Sequence, residues 1–254
     1  MTLMELFLLE MEQTHIDNSG ITLYKQYNME KDLFDHFLQV SLLGRNYNLD
    51  KGIAGKELIR ILLMVNLFGK KYNTGIDDNT KIELAIDRAY LDFCRTIRKE
   101  NGQDIIVLRS IKNKAIEDIK KGINKILTEG KEYDKWFYPL CTKITKYGYT
   151  FGQAQKWVNM TMKYLLVLDC HIGLGSVALL ENKLHAPIDN DIIKVAINKE
   201  LISGNEVHKY KSWSSKDFKK VDYKTLQKRI KSFAERQRKS RIEWEFQAWN
   251  ESDK

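Results

Sequence analysis

The sequence predicts an all-α protein, and three observations carry that prediction. Only two prolines, Pro139 and Pro187, interrupt the 254 residues. Ile, Leu, Lys and Glu are abundant, and uninterrupted runs of such residues favour helix. The turn chemistry that a β-sandwich needs every ~8–12 residues is missing. A composition that is 43% hydrophobic and 30% charged is globular rather than disordered. A chain of this length can bury a substantial core, as one large domain or as two lobes.

Apolar periodicity places helices near residues 2–13, 30–43, 54–68, 79–99, 105–128, 133–145, 151–168, 190–203 and 223–248. Gly-containing connectors separate several of them, at 44–55, 69–79 and 170–189. The polar stretch "GNEVHKYKSWSSKDFKK" (204–220) is long for a structureless loop and is expected to be partly ordered around Trp213. The helix "RSIKNKAIEDIKKGINKIL" is basic, tempered by Glu117 and Asp118.

The opening "MTLMELFLLEMEQ" carries Glu5, Glu10 and Glu12 and reads as an amphipathic helix, not a leader segment. The apolar run "LIRILLMVNLFGK" contains Arg60 and Asn66 and is too short to cross a bilayer. Cys94, Cys141 and Cys170 are odd in number, lack C-x-x-C spacing and fit free thiols in a reducing compartment. A cytoplasmic protein without membrane association is expected. "GLGSVA" (173–178) lacks the last glycine and the preceding strand of a dinucleotide loop. His171, His185 and the cysteines lack metal-ligand spacing, so neither a metal nor a cofactor is expected.

Charge is concentrated. Residues 207–241 hold thirteen Lys/Arg and three Asp/Glu, a balance of +10, against +8 for the whole chain. The remainder therefore carries −2. Within the expected basic helix at 223–248, Leu226, Ile230 and Phe233 form a buried stripe, and Lys228, Arg229, Arg236 and Arg238 fall on other faces. Such a surface suits a phosphate backbone, through counterion release and long-range attraction. A solvated helix, a membrane surface or an acidic protein partner fit the same charge.

The helix at 151–168 starts with a capping box, Thr150 and Gln153. Ala154, Trp157, Val158, Thr161, Tyr164, Leu165 and Leu168 share one arc, and Lys156, Asn159 and Lys163 line the opposite side. Lys163 follows Lys156 by seven residues, about 10 Å up the axis. Upstream, "DKWFYPLCTKITK" reads as a helix and "YGYT" as a turn, giving a helix–turn–helix hairpin over about 133–168 whose turn amides can hold a phosphate. Downstream, Asp189 follows Pro187 at the N-cap position of "NDIIKVAINKELI". Taken singly, a cap aspartate and a helix lysine have ordinary structural explanations.

Taken together, "AQKWVNMTMKYL" and "HAPIDNDIIKVA" resemble the lysine and aspartate motifs of the helix-hairpin-helix DNA glycosylase superfamily, most of all the archaeal 8-oxoguanine DNA glycosylase group. The resemblance covers about 45 residues, 147–192, and Lys156, Lys163 and Asp189 occupy the motif positions. The usual L-P-G-x-G hairpin is replaced by "KYGYTFG". The resemblance implies a single two-lobed helical domain with a non-standard hairpin and an active-site cleft between the lobes. It implies a bifunctional glycosylase and abasic-site lyase of base excision repair, acting as a monomer on double-stranded DNA with a damaged base, 8-oxoguanine first.

In that family's chemistry Lys156 attacks the sugar C1′, expels the base and forms a Schiff base, and β-elimination then nicks the strand. A lysine ordinarily titrates near ~10.4, so the attacking amine must first lose its proton. Asp189 stabilises the cationic sugar. Lys163 contacts the phosphate or the flipped base, and Trp213 and Trp157 line the pocket, with Tyr164 and Trp244 as further aromatics. Tyr147 and Gly148 in the turn contact DNA, as do Lys228, Arg229, Arg236 and Arg238. Rival readings are a glycosylase for a modified pyrimidine of phage DNA, a non-catalytic DNA-binding protein of the same shape, and a helical adaptor for an acidic partner.

Overall fold

The structure of the protein, a computed structural model, describes residues 77–100, 105–129, 132–172 and 177–251. The helices expected near 2–13, 30–43 and 54–68 lie outside the described residues. Among the described residues there are eight α-helices and no strand: α1 (Asp78–Glu100), α2 (Ile105–Glu129), α3 (Tyr133–Thr145), α4 (Phe151–Ile172), α5 (Asn190–Asn198), α6 (Val207–Lys211), α7 (Lys220–Arg236) and α8 (Arg241–Glu251). Short 3-10 helices occupy Ala178–Lys183 and Gly204–Glu206. The all-α class is therefore observed. Among the described residues no helix is long and apolar enough to cross a membrane.

Helix α4 is the axis of the assembly. It packs against α1, α3, α7 and the Ala178–Lys183 helix. Its start follows from local chemistry: the Thr150 amide donates to Gln153 Oε1 at 2.9 Å, and the Gln153 amide donates to Thr150 Oγ1 at 3.1 Å. This reciprocal cap is the one the sequence predicts. On one side, Ile82, Ala85, Ile86, Ala89 and Phe93 recur at helical spacing along α1 and are fully buried against it. Phe93 stacks on Trp157 with ring centroids 5.7 Å apart and planes 8° apart. The Trp157 indole also donates to the Ile86 carbonyl at 3.3 Å.

The side carrying Lys156, Asn159 and Lys163 is buried as well. Residues 152–168 are buried without interruption. The 184–189 segment, α7 and α8 cover the polar stripe.

Two expected helices end early, by the same device. The helix predicted over 190–203 stops at Asn198: Glu200 takes a left-handed φ of 57° and the Leu201 amide donates to the Ala196 carbonyl at 2.8 Å. The basic helix predicted over 223–248 is two helices. Arg238 takes φ 58°, the Lys239 amide donates to the Ala234 carbonyl at 3.0 Å, and Ser240 opens α8 by a reciprocal cap with Glu243. Both endings are Schellman turns in which a charged residue stands where glycine is usual.

The 204–220 stretch is ordered around Trp213, which is fully buried. Its position depends on Gly152. A β-carbon built there would come within 1.6 Å of the Trp213 carbonyl oxygen. Thr150 Oγ1 adds a hydrogen bond to the Ser214 carbonyl at 2.8 Å. Gly152→Ala is therefore expected to destabilise the fold by about 3 kcal/mol or more, because a backbone atom cannot turn aside as a side chain can. Urea denaturation of the two proteins measures this, and an unchanged midpoint would contradict the close approach.

Candidate functional site

Asp189 stands at the entry of α5 in extended backbone, and its two oxygens divide their partners. Oδ1 accepts the amides of Asp191 and Ile192, both at 3.1 Å. Oδ2 accepts from Lys156 Nζ at 3.2 Å. Capping and ion pairing thus do not compete. Burial pushes the Asp189 carboxyl up, but the Lys156 charge and the Ile192 amide outweigh it and hold the group below the usual carboxylate range. Lys156 is 7% exposed and its Nζ lies 5.1 Å from the Trp213 ring centroid. The Trp213 indole N–H donates to Asn190 Oδ1 at 2.9 Å, which fixes the ring beside the amine. Lys156, Asp189 and Trp213, expected from the sequence to share a site, are brought together.

A second buried ion pair sits one stretch of α4 further on. Lys163 Nζ donates to both carboxylate oxygens of Glu245, at 2.8 and 2.7 Å, and lies 4.2 Å from the Phe246 ring centroid. Burial pushes the Glu245 carboxyl up; Lys163 pulls it down, and the nearby Asp189 charge pushes it up again. The two pairs therefore act on each other as a quartet of alternating charges.

The extended segment leading to Asp189 is held by two glutamines in place of neighbouring strands. Gln155 accepts the Ile188 amide at 3.2 Å and donates to the Ile188 carbonyl at 2.8 Å. Gln227 of α7 accepts the Ala186 amide at 3.2 Å and donates to the Ala186 carbonyl at 2.6 Å. Unpaired, these four backbone groups would each be costly to bury.

From Gln155 a polar chain runs to the surface. Asn159 Nδ2 donates to Gln155 Oε1 at 3.0 Å and to Tyr223 Oη at 2.8 Å, and Asn159 Oδ1 accepts from Tyr133 Oη at 3.2 Å. Tyr223 meets His185 Nδ1 at 2.9 Å, and His185 Nε2 meets Asp134 Oδ1 at 2.7 Å. One tautomer satisfies the chain, with Nδ1 accepting from Tyr223 and Nε2–H donating to Asp134. Burial pushes the His185 imidazole down to about 4, against the upward pull of Asp134.

The remaining expected site residues lie apart. Trp157 is a core residue of the α1–α4 contact rather than a pocket wall, which corrects its expected role. Tyr164 is buried and hydrogen-bonds Asp92, and Trp244 packs edge-on to Phe233. Tyr147 and Gly148 form the α3–α4 turn; Gly148 has φ 93°, and Tyr147 Oη donates to Asp118 Oδ2 at 2.7 Å. On α7, Arg229 is engaged by Glu206 at 2.8 Å and by the Leu201 carbonyl at 3.0 Å. Lys228, Arg236 and Arg238 are exposed. Cys94 and Cys141 are free thiols, and no cluster of metal-ligating residues occurs among the described residues.

Gln155, Gln227, Asn190 and Glu245 are members of the site that sequence reasoning missed. Glu245 had a signal: Ile242, Phe246 and Trp249 fall at i, i+4 and i+7 of one apolar stripe, with Glu245 in the i+3 place. A carboxylate written into a core stripe calls for a buried cation. The glutamines had none, because their partners are backbone groups.

The chain matches no protein family, no curated protein and no solved structure.

Two outcomes follow from this geometry. Lys163→Met leaves Glu245 buried and unpaired, and should cost about 3–5 kcal/mol; adding Glu245→Leu should restore most of it. Denaturant unfolding of the single and double variants measures the difference. For His185, the folded value lies below the ordinary 6.5. The unfolded chain therefore binds the extra proton between about pH 6.5 and 4, so stability is full above that window and falls on acidification through it. The loss should approach about 3 kcal/mol near pH 4 and be absent in His185→Gln, as a pH series of melting curves would show.

Proposed function

We propose that this protein is a bifunctional DNA glycosylase and abasic-site lyase, acting on duplex DNA with a damaged base, with 8-oxoguanine as the first candidate substrate. The observation that carries the reading is the placement of the Lys156 amine 3.2 Å from an N-capping Asp189 and beside the Trp213 ring. Those are the positions of the motif lysine and aspartate of the helix-hairpin-helix glycosylases, and the α3–turn–α4 unit is the counterpart of their hairpin. On this reading an active-site cleft between two lobes gives the flipped nucleotide its way to Lys156.

The chemistry assigns a role to each group. Lys156 gives up one proton, which reaches the departing base, and the free amine attacks C1′ of the flipped nucleotide. The C1′–N bond breaks and the base departs with its electron pair and a proton. Asp189, an anion within its own helix terminus, stabilises positive charge on the sugar as that bond lengthens. The C1′–O4′ bond then opens, O4′ taking a proton from the attached nitrogen, and the resulting iminium acidifies C2′–H; removal of that proton expels the 3′-phosphate and nicks the strand, and water then releases Lys156. Trp213, fully buried and held by Asn190, packs beside the amine and positions it.

Borohydride trapping tests this directly, on a duplex carrying 8-oxoguanine and on one carrying an abasic site. The wild type should give a covalent adduct with both, Lys156→Gln with neither, and Asp189→Asn an adduct formed about 100-fold more slowly or worse. An adduct on the abasic site alone keeps the lyase and rejects oxidised guanine. Tight binding without an adduct on either would leave a non-catalytic DNA-binding protein.

A further inference from the structure

We infer that the groove between α2 and α3 is a second DNA contact, holding a phosphodiester strand that flanks the nucleotide presented to Lys156. The choice of DNA as occupant rests on the glycosylase reading; the groove itself rests on its own geometry. It encloses about 410 Å³. Lys121 and Lys125 line it from α2, Lys135 and Lys143 from α3, and the sole acidic group in its lining is Asp118.

That aspartate offsets one of the four lysines and leaves the lining net positive. Asp118 is 8% exposed and accepts from Lys143 Nζ at 2.7 Å and from Tyr147 Oη at 2.7 Å. Burial opposes its charge, yet these two donors hold its carboxyl below the usual range, so it serves as an internal anchor for Lys143. Lys135 also meets Glu132 at 3.1 Å, an exposed pair of little energetic weight. Lys121, Lys125, Lys135 and Lys143 are all exposed.

The spacing suits a repeating anion. Lys121 and Lys125 stand one turn apart, about 6 Å along α2, and Lys135 and Lys143 about 12 Å apart along α3. The floor between the rims is apolar, with Trp136 and Pro139 on it. The Trp136 indole N–H is buried there without an acceptor, against Gly122. A strand suits this surface, with phosphates for the exposed ammonium groups on the two rims and sugar faces for the floor. The groove is also continuous with the α3–α4 turn: Tyr147 of the turn and Lys143 of the rim share Asp118. DNA held by the turn therefore runs directly into it.

The test is the salt dependence of binding to a labelled duplex with a stable abasic-site analogue, read by fluorescence anisotropy. Lys121→Gln/Lys125→Gln should flatten the slope of log affinity against log salt by about 2, since each phosphate contact contributes ~0.9. Affinity at low salt should fall about tenfold, and Lys121→Arg/Lys125→Arg should retain the wild-type slope. A slope equal to wild type in the glutamine variant, or one not retained by the arginine variant, overturns the groove. Borohydride trapping of the same proteins separates the two claims. A wild type that never traps defeats the enzyme reading while the slope still decides the groove.

Discussion

The constraint on which the described structure depends is the burial of residues 152–168 of α4 on every side. A central helix can be apolar all round at no electrostatic cost, but this one carries Gln155, Lys156, Asn159 and Lys163 along one line, each 7% exposed or less. Each therefore needs a partner inside the protein. Lys156 requires Asp189, Lys163 requires Glu245, Asn159 requires Tyr133 and Tyr223, and Gln155 requires the Ile188 backbone. Those partners belong to the 184–189 segment, α3, α7, α5's cap and α8. The polar stripe thus dictates which elements stand on that side of α4, and in what register.

The same requirement explains why a stretch with no regular secondary structure can lie in the interior. Residues 184–188 are buried in extended backbone, where a strand would ordinarily find its partners in a sheet. Here the primary amides of Gln155 and Gln227 reproduce that pairing, each giving one donor and one acceptor to a single residue's backbone. Pro187, between the two clamped residues, has no amide hydrogen to satisfy. Asp189 then leaves the clamp with both oxygens already oriented, one by the helix amides and one by Lys156.

How far this was legible follows from where each signal lives. The α3–α4 unit, the Thr150–Gln153 cap and the Asp189 cap are local, set by residues within four positions of one another, and the sequence shows them. The pairing of Lys156 with Asp189 spans 33 residues and came from motif resemblance rather than from spacing. Trp213 beside Lys156 followed from an aromatic stranded in a polar stretch. What the sequence does not reveal is the cover: Lys156, Asn159 and Lys163 fall on one side of the helix, and nothing local says which elements will bury them. The break at 237–240 was missed for a different reason. Arg238 gives no glycine signal, although Ser240 and Glu243 spell the capping box of a new helix.

A buried quartet of two lysines and two carboxylates is not the simplest way to hold α4 in place. Apolar residues of similar volume at such positions are often as stabilising as a buried ion pair, and sometimes more so, because desolvation offsets most of the Coulomb attraction. The surroundings here supply ample apolar contact: Phe246 packs on Lys163 and Trp213 on Lys156. Stability alone therefore gives little reason for an amine at either position. The two lysines also differ in setting. Lys163 grips both oxygens of a carboxylate with only 1% exposure, whereas Lys156 meets one oxygen at the longer distance of 3.2 Å and retains more exposure. The tighter pair suits a fixed support and the looser one an amine that must leave its partner. Under the proposed function, that asymmetry is what sets Lys156 apart from Lys163 within a single helix.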